Sequence, residues 1–322
     1  MTEEPIPVGV VGAGNMGSNH VRVYDELPEA NLVEVVEPDP DRATDIREQY
    51  DVQVLDHPDE LDRADAVTVS VPNEFHRETA ETCLRAGLDV LVEKPLATTV
   101  EDAQAIADLA DEMDAILQVG HIERFNPAVQ TLQELLADQQ VIAIEAHRLG
   151  PFNEHLSEES VILDLMIHDL DVIDSIVSSP IQQLHALGLK SRSQMIDHAV
   201  AQLQFGDGIL ATTTASHVTN GKVRTLDVIT RDAYITLDYQ EQTIVIQRQG
   251  TEETTTLLDQ SGYRTETVTE SPYIKTREPL KIEIEHFVDA VRDRKTAKVS
   301  GKEGVAAVDL ANRIVSDIRS ST

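Results

Sequence analysis

The chain has 322 residues, beyond the roughly 250–300 at which one hydrophobic core stops growing, so two domains are expected. Its 41% hydrophobic and 26% charged residues exclude a collagen, a disulfide-stapled miniprotein and a mostly disordered chain. Asp plus Glu is 58 against 26 Lys plus Arg, a formal net charge of −32 that repels nucleic acid and anionic membranes.

In chain order, Val8–Val11 reads as a strand, followed by a Gly-rich turn and a helix from Asn15 to Leu27. Further strands are expected at Leu32–Glu37, Val52–Leu55, Ala66–Val71, Leu88–Val92 and Ile116–Val119. Helical stretches lie between them at Arg42–Tyr50, Glu74–Ala86 and Val100–Asp114. Strands alternating with helices at this spacing predict a parallel, doubly wound sheet. The pattern then changes. A helix over Asn126–Ala137, a strand over Val141–Arg148 and a helix over Val161–Val177 precede a run of strands. These are Gln183–Leu189, Ala199–Phe205, Ile209–Ser216, Leu226–Thr230, Tyr234–Leu237 and Thr243–Gln247, with Gly206-Asp207-Gly208 as a hairpin turn. Consecutive strands without crossover helices predict a large, open, mostly antiparallel sheet. Asp259–Thr276 is polar and reads as a loop, and helices at Ile282–Arg292 and Glu303–Ile318 close the chain. The expected class is α/β. Residues 1–121 form a Rossmann domain, and residues 122–322 form an α+β domain for substrate binding and oligomerisation. The last helix is a candidate to pack back on the first domain.

Gly12-Ala13-Gly14-Asn15-Met16-Gly17 lies between a strand and a helix. Gly12 permits a tight turn, Gly14 lets a pyrophosphate approach the backbone, and Gly17 allows close helix–strand packing; the helix N-terminus attracts the phosphates. Glu37 ends the second strand, where a carboxylate accepts hydrogen bonds from ribose hydroxyls and repels a 2′-phosphate. NAD is therefore the expected cofactor, with NADP left open by the nearby Arg42.

Asp164 and His168 are four residues apart, on one face of a helix, so the carboxylate can orient the imidazole and raise its basicity. Asp171 competes for that role, and Asp169 is expected to be solvated. Lys94 follows a parallel strand's carboxyl end, where ligand sites of such sheets lie. Alcohol oxidation needs a base for the hydroxyl proton and a polariser for the developing carbonyl, and His168 and Lys94 suit those tasks.

Four segments occur in order: the Gly-rich turn, Pro72-Asn73-Glu74-Phe75-His76, Glu93-Lys94-Pro95, and Asp164-Leu165-Met166-Ile167-His168. Together with the ending Glu278-Pro279-Leu280 through His286-Phe287 to Val299-Ser300-Gly301, they resemble the Gfo/Idh/MocA oxidoreductases over nearly the whole chain. Gly120–Pro127, Arg148–Phe152 and Lys222-Val223-Arg224 resemble the subgroup containing UDP-N-acetylglucosamine 3-dehydrogenases. The resemblance implies Lys94, Asp164 and His168 as the catalytic group, without settling whether Lys94 or His168 takes the proton. It implies cofactor contacts from Pro72, Asn73, His76 and Glu93 beside the Gly-rich turn. Substrate contacts would come from Lys94, Asp164 and His168, with Arg124, Arg148 and Lys222 as candidate cations for a diphosphate and Tyr239 as a sugar contact. It also implies hydride transfer from a sugar carbinol, best matched by C3 of UDP-N-acetylglucosamine. The alternatives are a free sugar or inositol dehydrogenase, an NAD-retaining glycosidase and a non-catalytic nucleotide-binding protein. A homodimer or homotetramer through the second domain's sheet is implied as well.

Cys83 is the single cysteine and reads as a packed small hydrophobe, so no intramolecular disulfide or Cys-based zinc site is expected. No metal is expected, the acidic charge argues against nucleic-acid and membrane partners, and no stretch of about 18 apolar residues offers a transmembrane helix. Met1–Pro7 is acidic without a basic-then-apolar signal, so a cytoplasmic location is expected. Scattered acid, 8 lysines against 18 arginines and no Trp resemble halophilic proteins, in which salt screens self-repulsion.

Overall fold

A computed structural model describes residues 4–152, 159–249, 253–257, 260–264 and 267–320, the two short segments among these as backbone. The chain divides into two compact units, one of residues up to Phe125 with Arg277–Arg313, the other of Asn126–Thr276 with residues from Ile314.

The first unit alternates β1 (Ile6–Val11), α1 (Asn15–Glu26), β2 (Ala30–Val36), α2 (Pro40–Gln49), β3 (Gln53–Leu55), β4 (Ala66–Val69), α3 (His76–Arg85), β5 (Asp89–Glu93), α4 (Val100–Glu112) and β6 (Leu117–Gly120). The strands form one parallel sheet in the order β3-β2-β1-β4-β5-β6. β4, β5 and β6 are buried at every residue, because helices cover both faces. Leu84, Ile106 and Leu109 of α3 and α4 pack over one face. Val21 and Tyr24 of α1 pack over the other, with Leu280, Ile284, Phe287 and Val288 of α7 (Pro279–Asp293). Cys83 of α3 is buried on the α3/α4 face as expected, and burial pushes its thiol up to about 12.

In the second unit, α5 (Pro127–Leu136), β7 (Val141–Leu149) and α6 (Ile167–Ile176) precede β8 (Ile181–Leu189), β9 (His198–Phe205), β10 (Leu210–Ser216), β11 (Val223–Thr230), β12 (Tyr234–Asp238) and β13 (Thr243–Gln249). β14 (Glu253–Leu257), β15 (Gln260–Arg264) and β16 (Thr267–Glu270) follow, and α8 (Gly301–Ser320) closes the chain. Eight strands run in the order β16-β13-β12-β11-β7-β10-β9-β8, antiparallel except for β10 beside β7. Residues alternate in and out: Ile144 and Ala146 of β7 and Leu226 and Val228 of β11 are buried on the face covered by α5 and α6. On the opposite face Leu187, Leu189, Leu210 and Tyr234 are exposed.

The loop expected over 259–276 holds at 271–276 and is corrected in the described residues before that. Gln260–Arg264 pairs with Glu253–Leu257, and Thr267–Glu270 extends the large sheet beside β13. Polar strands lacking an apolar face carry no period-2 hydrophobic signal, so composition read them as loop. The helix expected over 161–177 is also composite, a π-turn at Ile162–Met166 passing into α6.

Candidate active site

In the first unit the chain leaves β1 into a turn that needs its glycines. Gly12 sits at φ +88°, and a Cβ there would lie 2.6 Å from the Ser70 carbonyl oxygen. A Cβ on Gly17 would come within 1.8 Å of the Gly12 carbonyl oxygen, so only glycine lets α1 start this close to the strand. A Cβ on Gly14 would meet no atom within 4 Å. Gly14 caps α1 without a side chain, and no acid lies in the first turn, where Asn15 and Met16 sit. Open space at a helix N-terminus is what a pyrophosphate needs, and these residues fit NAD.

Glu37 is 2% exposed. Its Oε2 accepts from the Ala13 backbone N–H at 2.8 Å, its Oε1 from the Asp39 N–H at 2.9 Å, and Arg42 reaches Oε1 at 3.3 Å. The carboxylate thus clamps the glycine turn to the end of β2. Oε2 keeps a second acceptor direction for a ribose hydroxyl.

After β4, Pro72 leads into a short 3₁₀ turn at Asn73–Phe75. His76 is 1% exposed, with Nδ1 at 2.8 Å from the Pro95 carbonyl and Nε2 at 3.0 Å from the Val71 carbonyl. Burial, only partly offset by the Pro95 and Val71 carbonyls, lowers its proton affinity. A neutral imidazole donates through one nitrogen, so one of these contacts is the true hydrogen bond. Both ring nitrogens face backbone, and His76 ties the end of β4 to the turn after β5.

That turn carries Glu93 and the half-buried Lys94. Glu93 Oε1 lies 2.7 Å from His20 Nε2, and Oε2 accepts from the Lys94 N–H at 3.2 Å. Burial alone would raise the Glu93 pKa, but His20 first, and then Lys94, hold it below the usual carboxylate range. Past β6, His121 is buried and its pKa is lowered to about 3, by burial first and then by Arg124 and Lys94. Half-buried Arg124 belongs to a 3₁₀ turn at Ile122–Phe125. Beside it, Lys298 Nζ stands 5.4 Å from the Phe125 ring centroid, and His286 packs on that ring at 5.4 Å. Burial and then the Arg124 guanidinium push the Lys298 ammonium below the usual lysine range.

The second unit holds Asp164 and His168, both half-buried. Asp164 sits in the π-turn and His168 in the first turn of α6, so the α-helical spacing rule does not by itself set their geometry. Asp164 Oδ2 is 2.8 Å from Nε2 of His217, a 3% exposed residue at the end of β10 whose backbone N–H bonds the Asp197 carbonyl. His217 went unnoticed in the sequence. Its one signal was its place just past a strand shared with β7.

Asp169, expected to be solvated, is fully buried, and Asp171 is 3% exposed. Asp169 receives Arg148 through two bonds, Nε to Oδ2 and Nη2 to Oδ1, both 2.9 Å. The Arg148 guanidinium carbon also lies 4.8 Å from the Tyr239 ring centroid. Arg148 is 3% and Tyr239 4% exposed, so both belong to a buried stack rather than to an open binding surface. Lys222 is exposed in the loop before β11.

A dinucleotide turn closing a six-stranded parallel sheet defines the first unit as that of an NAD-dependent oxidoreductase. Residues 6–121 match the model of the oxidoreductase family with an NAD-binding Rossmann fold named GFO/IDH/MocA, and residues 130–236 match that family's C-terminal domain. The chain belongs to the GFO/IDH/MocA oxidoreductase family. It is 29% identical to the UDP-N-acetylglucosamine 3-dehydrogenase of Acidithiobacillus ferrooxidans, over 92% of each chain. A solved structure of that enzyme superposes with a TM-score of 0.88, at 28% identity over 98% of each chain. An inositol 2-dehydrogenase of Corynebacterium glutamicum is 32% identical over 53% of this chain and 54% of its own. Levoglucosan dehydrogenase, solved with NADH and levoglucosan, shares the fold with a TM-score of 0.82 at 17% identity. Among the described residues, no helix is long and apolar enough to cross a membrane.

Proposed function

We propose that this protein is an NAD-dependent dehydrogenase of a nucleotide sugar, oxidising C3 of UDP-N-acetylglucosamine or a close analogue. Its similarity to the Acidithiobacillus enzyme extends over almost the full length of both chains. That near-full-length match is the observation that carries the substrate class. Half-buried Arg124 and Lys298, the latter 5.4 Å from the Phe125 ring centroid, are candidate cations for the diphosphate, a group that an uncharged inositol or free hexose lacks. Arg148, already committed to Asp169, is not needed for this.

Gly12, Gly14, Gly17, Glu37 and the first turn of α1 would hold the cofactor, whose nicotinamide supplies the hydride acceptor. Lys94, Asp164 and His168 form the proposed catalytic group. The substrate hydroxyl gives its proton to a base as the carbinol hydride departs, and the C–O bond becomes a ketone. Lys94 as ammonium stabilises the oxygen as charge develops. His168 takes the proton, and Asp164, in the preceding π-turn, is anchored by His217. The exposed Leu187, Leu189, Leu210 and Tyr234 make the open sheet face a candidate self-association surface.

The test is to incubate enzyme, NAD and candidate substrates in molar KCl and follow reduced-cofactor absorbance. Turnover of UDP-N-acetylglucosamine, with Lys298→Met raising KM for the nucleotide sugar at least about tenfold and leaving NAD affinity intact, is the expected result. Turnover confined to inositol or free hexoses would refute the substrate class. NAD that co-purifies and is never consumed would point instead to a glycosidase.

A further inference from the structure

Behind Lys94 lies a cluster that the chemistry above does not use. His20 of α1 and Glu283 of α7 are fully buried, and Glu93 at the end of β5 is 8% exposed. Ligand-type atoms of all three lie within 4.8 Å of one another. A histidine facing two buried glutamates is an expensive arrangement, because two carboxylates this close disfavour joint ionisation and burial penalises each charge. The fold accommodates the cluster closely. A Cβ on Gly120 of β6 would lie 2.9 Å from Glu93 Oε2, so glycine at that position leaves room for the carboxylate. Three separate elements thus converge on Glu93, and Glu93 in turn bonds the backbone N–H of Lys94.

We propose that His20 and Glu283 act with Glu93 as a buried positioning network, in which His20 orients the Glu93 carboxylate and Glu93 fixes the Lys94 backbone, and with it the direction of the Lys94 side chain. The 2.7 Å contact between His20 Nε2 and Glu93 supplies a donor that an apolar side chain could not. The charged or titratable groups around Glu93 are His20 from α1, Glu283 from α7, His121 after β6 and Lys94 itself. His121 stays neutral near neutral pH, leaving Lys94 as the cation that senses Glu93. Without His20, Glu93 loses its 2.7 Å partner, and the Lys94 backbone N–H loses the held acceptor that fixes it. This inference rests on Lys94 being the group that polarises the substrate, but its test does not depend on the substrate.

The experiment is reductive ¹³C-methylation of the folded protein in molar KCl, followed by NMR of the dimethyl-lysine signals at fixed pH. The chain has only 8 lysines, and the Lys94→Arg variant identifies the signal of interest. In His20→Leu the Lys94 signal is expected to leave its wild-type chemical shift, because the side chain is no longer held in one place. His20→Gln, which keeps a donor toward Glu93, should restore it. The kcat of His20→Leu should fall at least about tenfold while NAD affinity stays within about threefold. If His20→Leu does not fold, the isosteric Glu93→Gln is expected to show the same shift. An unmoved Lys94 signal in a folded His20→Leu or Glu93→Gln overturns the proposal. So does a stoichiometric divalent cation retained through purification and lost in His20→Leu, which would make the cluster a metal site. A Lys94 shift in a protein that oxidises no sugar upholds the network and removes the dehydrogenase reading instead.

Discussion

Arg148→Met is the perturbation that separates an architectural arginine from a substrate-binding one. In the structure its guanidinium spends two bonds of 2.9 Å on Asp169 and covers the Tyr239 ring at 4.8 Å. Neither charged group reaches solvent, at 3% and 0% exposure. Removing the arginine leaves Asp169 as an uncompensated buried carboxylate, at a cost of about 3–5 kcal/mol. Losing the stacking on Tyr239 adds about 1 kcal/mol. A domain of 150–250 residues loses about 2–4 °C in Tm per kcal/mol, so the variant should melt about 10 °C or more below wild type. The Arg148→Met, Asp169→Leu double variant removes both charges and should recover most of the loss, since a buried pair is often replaceable by apolar volume. Arg148→Lys should fall between, because lysine lacks the planar fork that matches a carboxylate. Melting by circular dichroism in molar KCl measures all three. A folded Arg148→Met with wild-type Tm but a nucleotide-sugar KM raised about tenfold would refute this reasoning and return Arg148 to the binding site.

Four further outcomes follow from the same geometry. His217→Ala should lower kcat at least about tenfold with little change in NAD affinity, because Asp164 loses its 2.8 Å anchor; stopped-flow turnover and NAD titration measure the two, and an unchanged kcat would exclude His217 from the site. Glu37→Ser should weaken NAD binding about tenfold or more by releasing the Ala13 N–H, and should move the NAD-to-NADP preference toward NADP by removing charge beside Arg42; isothermal titration with both cofactors checks it, and an unaltered preference counts against Glu37 as the discriminator. His121 is held neutral, with its folded value at about 3 against 6.5 when unfolded. The unfolded chain therefore binds a proton that the folded state refuses, and stability falls as pH drops through that window. His121→Asn should flatten the decline by up to about 1.4 kcal/mol per pH unit, measured by urea unfolding between pH 6 and 4. With net charge −32, Tm should climb steadily between about 0.1 and 2 M KCl, and a flat profile would remove the halophilic reading.

The Rossmann half was legible because its signals are local. Gly12 and Gly17 announce contacts that no side chain tolerates, and a strand buried on both faces reads as a continuous apolar run, as at Val90–Val92. The antiparallel sheet was legible wherever one face is buried, as in β9, and failed at β14–β16, whose polar residues give no alternation. The π-turn at Asp164 was invisible because one extra residue in a helical turn leaves the apolar pattern of Val161 to Ile173 nearly intact. His217, His20 and Glu283 were missed for a related reason. Each lies far in sequence from the group it faces, and nothing local marks a histidine whose partner arrives from another element.

The cations show why charge is the hardest feature to place from sequence in so acidic a chain. Arg124, Arg148 and Lys222 looked alike, each a positive residue in a segment shared with nucleotide-sugar enzymes. What separates them is the dielectric and the nearest partner. Arg148 has Asp169 beside it in a water-free interior, so its charge is already used and its removal is costly. Lys222 is exposed, and salt at the concentrations this composition suggests would screen it heavily. Arg124 and Lys298 are half-buried, with Lys298 5.4 Å from the Phe125 ring centroid, so salt screens their charge less than it screens that of Lys222. In a protein with more than twice as many acids as bases, these two are the cations proposed for the diphosphate, although Lys298 carried no motif.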